Sequence, residues 1–177
     1  MKSELKIVLV LSAVCLVAGL CLGAVYKVSY PSIEARRKAD ERAQLKQLFP
    51  QADSFEEKEV PDSKIIKKCF FVKQGSKTLG YVFIAANYGY SGDIELMVGV
   101  DEKGNIAGTR VLVQAETPGL GTRIEEDSFI GQFNGWNYSD YKSGKVKFDA
   151  ITGSTISSKA VLEEIEAALD LMNKIKK

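Results

Sequence analysis

Hydrophobic and polar positions divide this chain into three unlike stretches. Residues 7–26, IVLVLSAVCLVAGLCLGAVY, contain no charged side chain. At about 1.5 Å per helical residue, a run of this length spans a hydrocarbon core of about 30 Å. It exceeds the apolar region of a secretory leader and no A-x-A site follows it, so it reads as a retained single membrane helix behind a short tail, 1–6. Residues 27–50 then turn polar. In PSIEARRKADERAQLKQLFP (31–50), Pro31 and Ser32 mark a helix start, Pro50 marks its end, and Glu34 with Lys38 forms an (i, i+4) pair. The apolar residues here are sparse: Ile33, Leu45, Leu48 and Phe49. The pattern predicts a solvated stalk helix or linker that docks only near its end.

From residue 51 to 177 the pattern is that of one mixed domain. SKIIKKCFFVK (63–73), LGYVFIAA (79–86), DIELMVGV (93–100) and NIAGTRVLV (105–113) read as strands. In the third, Ile94, Leu96, Val98 and Val100 alternate with the period of a half-buried strand. DEKGN at 101–105 predicts a hairpin turn, with Gly104 suited to positive φ. Links this short imply antiparallel neighbours. EEDSFIGQF (125–133) predicts a short helix and KVKFDAI (145–151) a final strand. In SSKAVLEEIEAALDLMNKIKK, Val161, Ile165, Ala168, Leu169, Met172 and Ile175 share one helical stripe, and Lys174, Lys176 and Lys177 close the helix as the macrodipole favours. The expected fold class is α+β: one transmembrane helix, a stalk helix, a mainly antiparallel sheet and a C-terminal helix.

Composition excludes more than it assigns. A formal net charge of +1 gives no field for binding nucleic acid. The chain has no histidine, which removes the Ser-His and Cys-His pairings and most catalytic zinc sites. Of three cysteines, Cys15 and Cys21 lie in the apolar run and Cys69 stands in KKCFFVK. Without a C-x-x-C pair no four-cysteine metal or iron–sulfur site is available, and Cys69 reads as a strand residue packed inside.

The chemistry concentrates in DAITGSTISSKAV (149–161), where Thr152, Ser154, Thr155, Ser157 and Ser158 surround Gly153 at the mouth of the last helix. Free backbone N–H groups and the positive end of the dipole collect there, an arrangement suited to an anion. Gly153 lets the backbone turn and approach a ligand. A plain N-cap accounts for one hydroxyl. A nucleophilic hydroxyl would need Lys159 or Asp149 as its base. The residues alone leave the phosphate site and the cap both open.

DAITGSTIS resembles the flavinylation motif of the FMN-binding domain family, D-x-x-[ST]-G-A-[ST]-x-[ST]. Asp149, Thr152, Gly153 and Thr155 match, and Ser157 takes the position where the resemblance implies a phosphoester bond to FMN, made by a separate flavin transferase. Ser154 replaces the usual alanine and Ser157 the commoner threonine, so Thr155 and Ser158 are rival acceptors. QAETPGLGTRI (114–124) is similar to the ETPGLG loop of the G subunit in Rnf electron-transport complexes. The resemblance spans nearly the whole chain. It implies one covalent FMN, held by Ser157, Thr155, Gly153, Thr152, Ser158, Ser154 and Asp149, with Glu116, Thr117 and Leu120 against the isoalloxazine. Tyr88, Tyr90 and Trp136 are aromatic candidates for the same site, or for packing.

The implied function is electron transfer within an ion-translocating ferredoxin:NAD oxidoreductase of the cytoplasmic membrane, with the other subunits as partners and the flavin domain on the extracytoplasmic side. Charge counting leans the other way: Lys2 and Lys6 precede the span, but Lys27, Arg36, Arg37 and Lys38 follow it. Two alternatives remain. One is the C subunit of the sodium-translocating NADH:quinone oxidoreductase, or a free-standing anchored flavoprotein shuttle. The other is an anchored sensor or adaptor that binds a phosphate-bearing ligand.

Overall fold

The computed structural model describes residues 2–60 and 63–176, the side chain of Lys2 excepted; Lys177, expected to close the last helix, lies outside them. The chain forms two compact units, one up to Ala43 and the other from Gln44 onward.

Helix α1 runs from Lys2 to Leu48. Its apolar portion is exposed all round, with Leu9, Leu16 and Leu20 each more than 60% accessible, and it is long and apolar enough to cross a membrane. A helix apolar on every face needs a lipid or protein environment. Pro31 does not begin a second helix, as its sequence context suggests, but sits inside this one. Proline removes one i→i−4 bond, here to the carbonyl of Lys27. Both residues are exposed. Beyond it Lys38 and Glu34 pair at 3.9 Å.

The second unit is built on a five-stranded antiparallel meander in the order β1-β2-β3-β4-β5. The strands are β1 (Ser54–Lys58), β2 (Ile66–Gln74), β3 (Lys77–Tyr88), β4 (Asp93–Asp101) and β5 (Ile106–Val113). The β4–β5 hairpin turns at 101–105 as expected, with Gly104 at φ 93° and Asn105 N donating to the Asp101 carboxylate at 2.8 Å. Strand β1, SFEEK, carries no apolar alternation because it is an exposed edge; Lys73 holds it through Glu56 at 2.7 Å.

Alternation along the strands gives the sheet two buried faces. On one, Phe83, Ala85, Ile94, Leu96, Val98 and Val100 pack with α4 (Thr155–Ile175) through Val161, Ile165, Ala168, Leu169 and Met172, the predicted stripe. On the other, Val72, Val82, Ile84 and Met97 meet Leu45 and Leu48 from the end of α1 and Phe49 just after it. That approach is close: a Cβ on Gly108 would lie 2.7 Å from Leu48 Cδ2, and one on Gly99 would lie 3.0 Å from Phe49.

Between β5 and α4 the chain forms a 3-10 turn (Gly121–Glu125), α2 (Asp127–Ile130), a second 3-10 turn (Gly131–Phe133) and α3 (Tyr138–Lys142). The segment KVKFDAI is not the final strand its pattern predicts. Val146 and Phe148 pack on the core cluster from an irregular backbone, and Gln132 bonds both the N–H of Asp149 (2.9 Å) and its carbonyl (3.2 Å). A side-chain amide thus takes the place of a neighbouring strand. Phe129, Phe133, Trp136 and Phe148 form an aromatic cluster beside it.

Candidate functional site

Three connections meet at one end of the sheet: the β3–β4 turn at 89–92, the loop 114–120 leaving β5, and the turn 152–154 that opens α4. They enclose a cleft of about 550 Å³ lined by Tyr90, Glu116, Thr117, Leu120, Gly121, Gly153, Ser154, Thr155, Ile156 and Ser157. This volume lies in the range of small-molecule and cofactor sites. The two motifs singled out in the sequence therefore face each other, although nothing local in either requires it.

Glu116 joins them. It is 5% exposed, and its carboxylate points inward. Oε1 accepts the backbone N–H of Tyr90 (2.8 Å) and of Ser91 (3.2 Å), while Oε2 accepts the hydroxyl of Ser157 at 2.8 Å. Gln114 Oε1 accepts the N–H of Glu116 itself at 2.7 Å. Two glycines make room for it. A Cβ on Gly121 would fall 2.6 Å from Oε2 and 2.7 Å from its Cβ, and one on Gly89 would collide with Oε1. One carboxylate thus ties all three walls of the cleft together.

The loop above it is a compact turn. Leu120 N and Gly121 N both donate to Thr117 O, at 3.1 and 3.0 Å, and Gly119 takes φ 74°. Leu120 is 43% exposed and aims its side chain across the cleft: a Cβ on Gly153, which has φ 83°, would meet Leu120 Cδ1 at 3.2 Å. Gly153 therefore serves both a left-handed turn and a close approach.

The hydroxyl cluster divides into two groups. Ser158 is fully buried; its Oγ donates to Ser154 O (2.8 Å) and accepts Ile151 N (3.1 Å), pinning the turn. Ser154 donates to Ser157 at 3.0 Å, and Ser157, 1% exposed, donates its own proton to Glu116. These three serines are committed to one another and to the fold. Thr152 and Thr155 are exposed, and of the two only Thr155 lines the cleft. Ser154 stands at the N-cap of α4 without making a side-chain capping bond. The first-turn N–H groups are left to an outside acceptor, and the 21-residue helix points its positive end there.

Other expected residues lie elsewhere. Asp149 borders a separate hollow of about 170 Å³ with Arg123, Ser128 and Gln132. Trp136 is 6% exposed and stacks on Tyr141 in the core, so it is a packing residue. Tyr88, at 64% exposure, is not among the lining residues, whereas Tyr90 is. The cleft also includes Gly121 and one residue that the motifs do not single out, Ile156, an exposed apolar residue at the second position of α4. The signal for Ile156 is an apolar side chain off the helix's buried stripe; for Gly121 it is the second glycine of GLG.

Residues 89–170 match the family of FMN-binding domains. The chain is similar to the G subunit of the proton-translocating ferredoxin:NAD(+) oxidoreductase complex of Clostridium ljungdahlii, with 32% identity over 90% of this chain and 86% of the relative. It is also similar to the G subunits of the ion-translocating oxidoreductase complexes of Haemophilus influenzae (34%, 93% and 88%) and of Methanosarcina acetivorans (29%, 97% and 96%). In fold it is similar to the crystal structure of Shewanella oneidensis NqrC, with a TM-score of 0.51 at 20% identity, covering 72% of this chain and 73% of that one.

Proposed function

The chain belongs to the family of G subunits of ion-translocating oxidoreductase complexes, and from that premise we propose that it is an electron-transfer subunit carrying one covalent FMN. The observation that carries this reading is the cleft: an exposed hydroxyl on a helix start with free N–H groups, facing apolar walls from Leu120, Tyr90 and Ile156.

The residues present fit the group. The phosphate end suits the first turn of α4, where N–H donors and the dipole favour an anion by roughly 0.3–1 kcal/mol at an exposed terminus. Thr155 supplies the ester oxygen in this reading. The resemblance assigns that bond to Ser157, but an acceptor must be reached by a modifying enzyme, and Ser157 is buried with its proton committed to Glu116. Thr155 also answers the lack of a histidine: activation falls to a separate flavin transferase, and this chain only presents the hydroxyl. The ring end suits Leu120, Tyr90 and Ile156, with Thr117 Oγ1 available for a hydrogen bond. When bound, FMN supplies the electron transfer, and the protein supplies position and field.

Partner subunits hold the ferredoxin, NAD and ion sites in this reading, because a single span without a charged residue offers no ion path of its own. The chain is then a carrier that turns over only within its complex. We place the flavin domain on the extracytoplasmic side, against the charge count, because that count is a statistical bias that assembly with other subunits overrides. The test is to purify the chain from native membranes and denature it. Yellow colour and flavin fluorescence that stay with the polypeptide, together with co-purifying membrane subunits, support the reading. A colourless chain that purifies alone opposes it.

A further inference from the structure

We propose that Glu116, beyond bracing the cleft, holds the reduction potential of the bound flavin down. This rests on the electron-carrier reading above. The carboxylate lines the cleft, is 5% exposed, and makes no ion pair among the described residues. Its partners are two backbone N–H groups and the Ser157 hydroxyl, all neutral donors, so its charge is solvated by dipoles and not cancelled.

Two electrons from an upstream carrier and one proton from solvent at the open cleft leave one added negative charge on an isoalloxazine at neutral pH. A fixed carboxylate beside it opposes that charge. At an effective dielectric near ~20, a unit charge within about 10 Å shifts such an equilibrium more than tenfold. The oxidised, neutral ring carries no such penalty. Glu116 thus favours giving electrons up over holding them, as a relay needs when its donor is strongly reducing. Its position matters as much as its charge: Gly89 and Gly121 approach it closely, and three hydrogen bonds hold it at the cleft wall.

The experiment is a spectroelectrochemical titration with dithionite and redox mediators, on the full chain co-expressed with a flavin transferase and purified in detergent. Glu116→Gln keeps the shape and removes the charge. We expect its reduction to be favoured at least tenfold over wild type, a rise of about 30 mV or more for a two-electron couple. Glu116→Ala, which removes the same charge and opens space rather than filling it, carries the test if Glu116→Gln fails to fold or load. It too must raise the potential. A purely structural brace would change melting temperature without moving the potential in this direction. Potentials equal to wild type in the loaded variants overturn the proposal while leaving the carrier reading intact. A wild-type chain that takes up no flavin overturns both.

Discussion

The hydroxyl of Ser157 donates to the buried carboxylate of Glu116 at 2.8 Å, joining positions 41 residues apart in the chain. Through this bond the first turn of α4 is held to the loop after β5, and through the other carboxylate oxygen to the β3–β4 turn. The walls of the cleft are therefore set before any ligand arrives, which reduces the ordering cost of binding.

Gly121 leaves no room for a side chain against Glu116, so Gly121→Ala must push the carboxylate or the loop aside. Forcing a methyl into such a packed site costs typically ~1–3 kcal/mol. The expected result is a lower melting temperature and reduced flavin loading. Gly131, where a Cβ would meet nothing within 4 Å, is the control, and Gly131→Ala should show neither effect.

Glu164 is fully buried on α4, and neither of its carboxylate oxygens has a hydrogen-bond partner among the described residues. Burial pushes it up to about 9, and Glu95 and Glu163 add to the rise. A folded-state value above the unfolded one means that the unfolded chain releases this proton first. Glu164 thus contributes most to stability below the unfolded carboxyl range, near 4.5. Stability falls as pH rises from there towards 9, by at most about 1.4 kcal/mol per pH unit. Melting temperatures of wild type and Glu164→Gln between pH 5 and 9 check this, and the variant should lack that slope.

Cys69 is 3% exposed, and burial raises its thiol to about 11. In a Cys15→Ser, Cys21→Ser background the folded protein should resist maleimide at neutral pH and react once denatured. Fast labelling of the folded chain would contradict the packing reading of this residue.

Alternation made β2 to β5 legible in the sequence, and the stripe on α4 made its buried face legible. Strand β1 was not, because an edge strand of the sequence SFEEK buries almost nothing and so shows no period. The stretch 145–151 misled in the opposite sense: Val146 and Phe148 alternate like strand residues, yet they satisfy their burial from an irregular segment braced by Gln132. Pro31 looked like a helix start because local rules assign it there, whereas it sits inside one continuous, exposed helix. At the site, both motifs could be read and the resemblance implied that they meet, but the bond from Ser157 to Glu116 that joins them could not be read. The burial of Ser157 against Glu116, and the exposure of Thr155 on the cleft, arise only in the folded chain.

The proposed attachment of FMN through Thr155 can be checked by intact mass on denatured protein. Wild type, Thr155→Ala and Ser157→Ala would be taken from cells that make the flavin transferase. The expected result is a mass increment of one phosphoester-linked FMN in wild type and in Ser157→Ala, and none in Thr155→Ala. An increment that disappears with Ser157 and persists without Thr155 would contradict the assignment of the acceptor. No increment in wild type would contradict covalent flavin altogether.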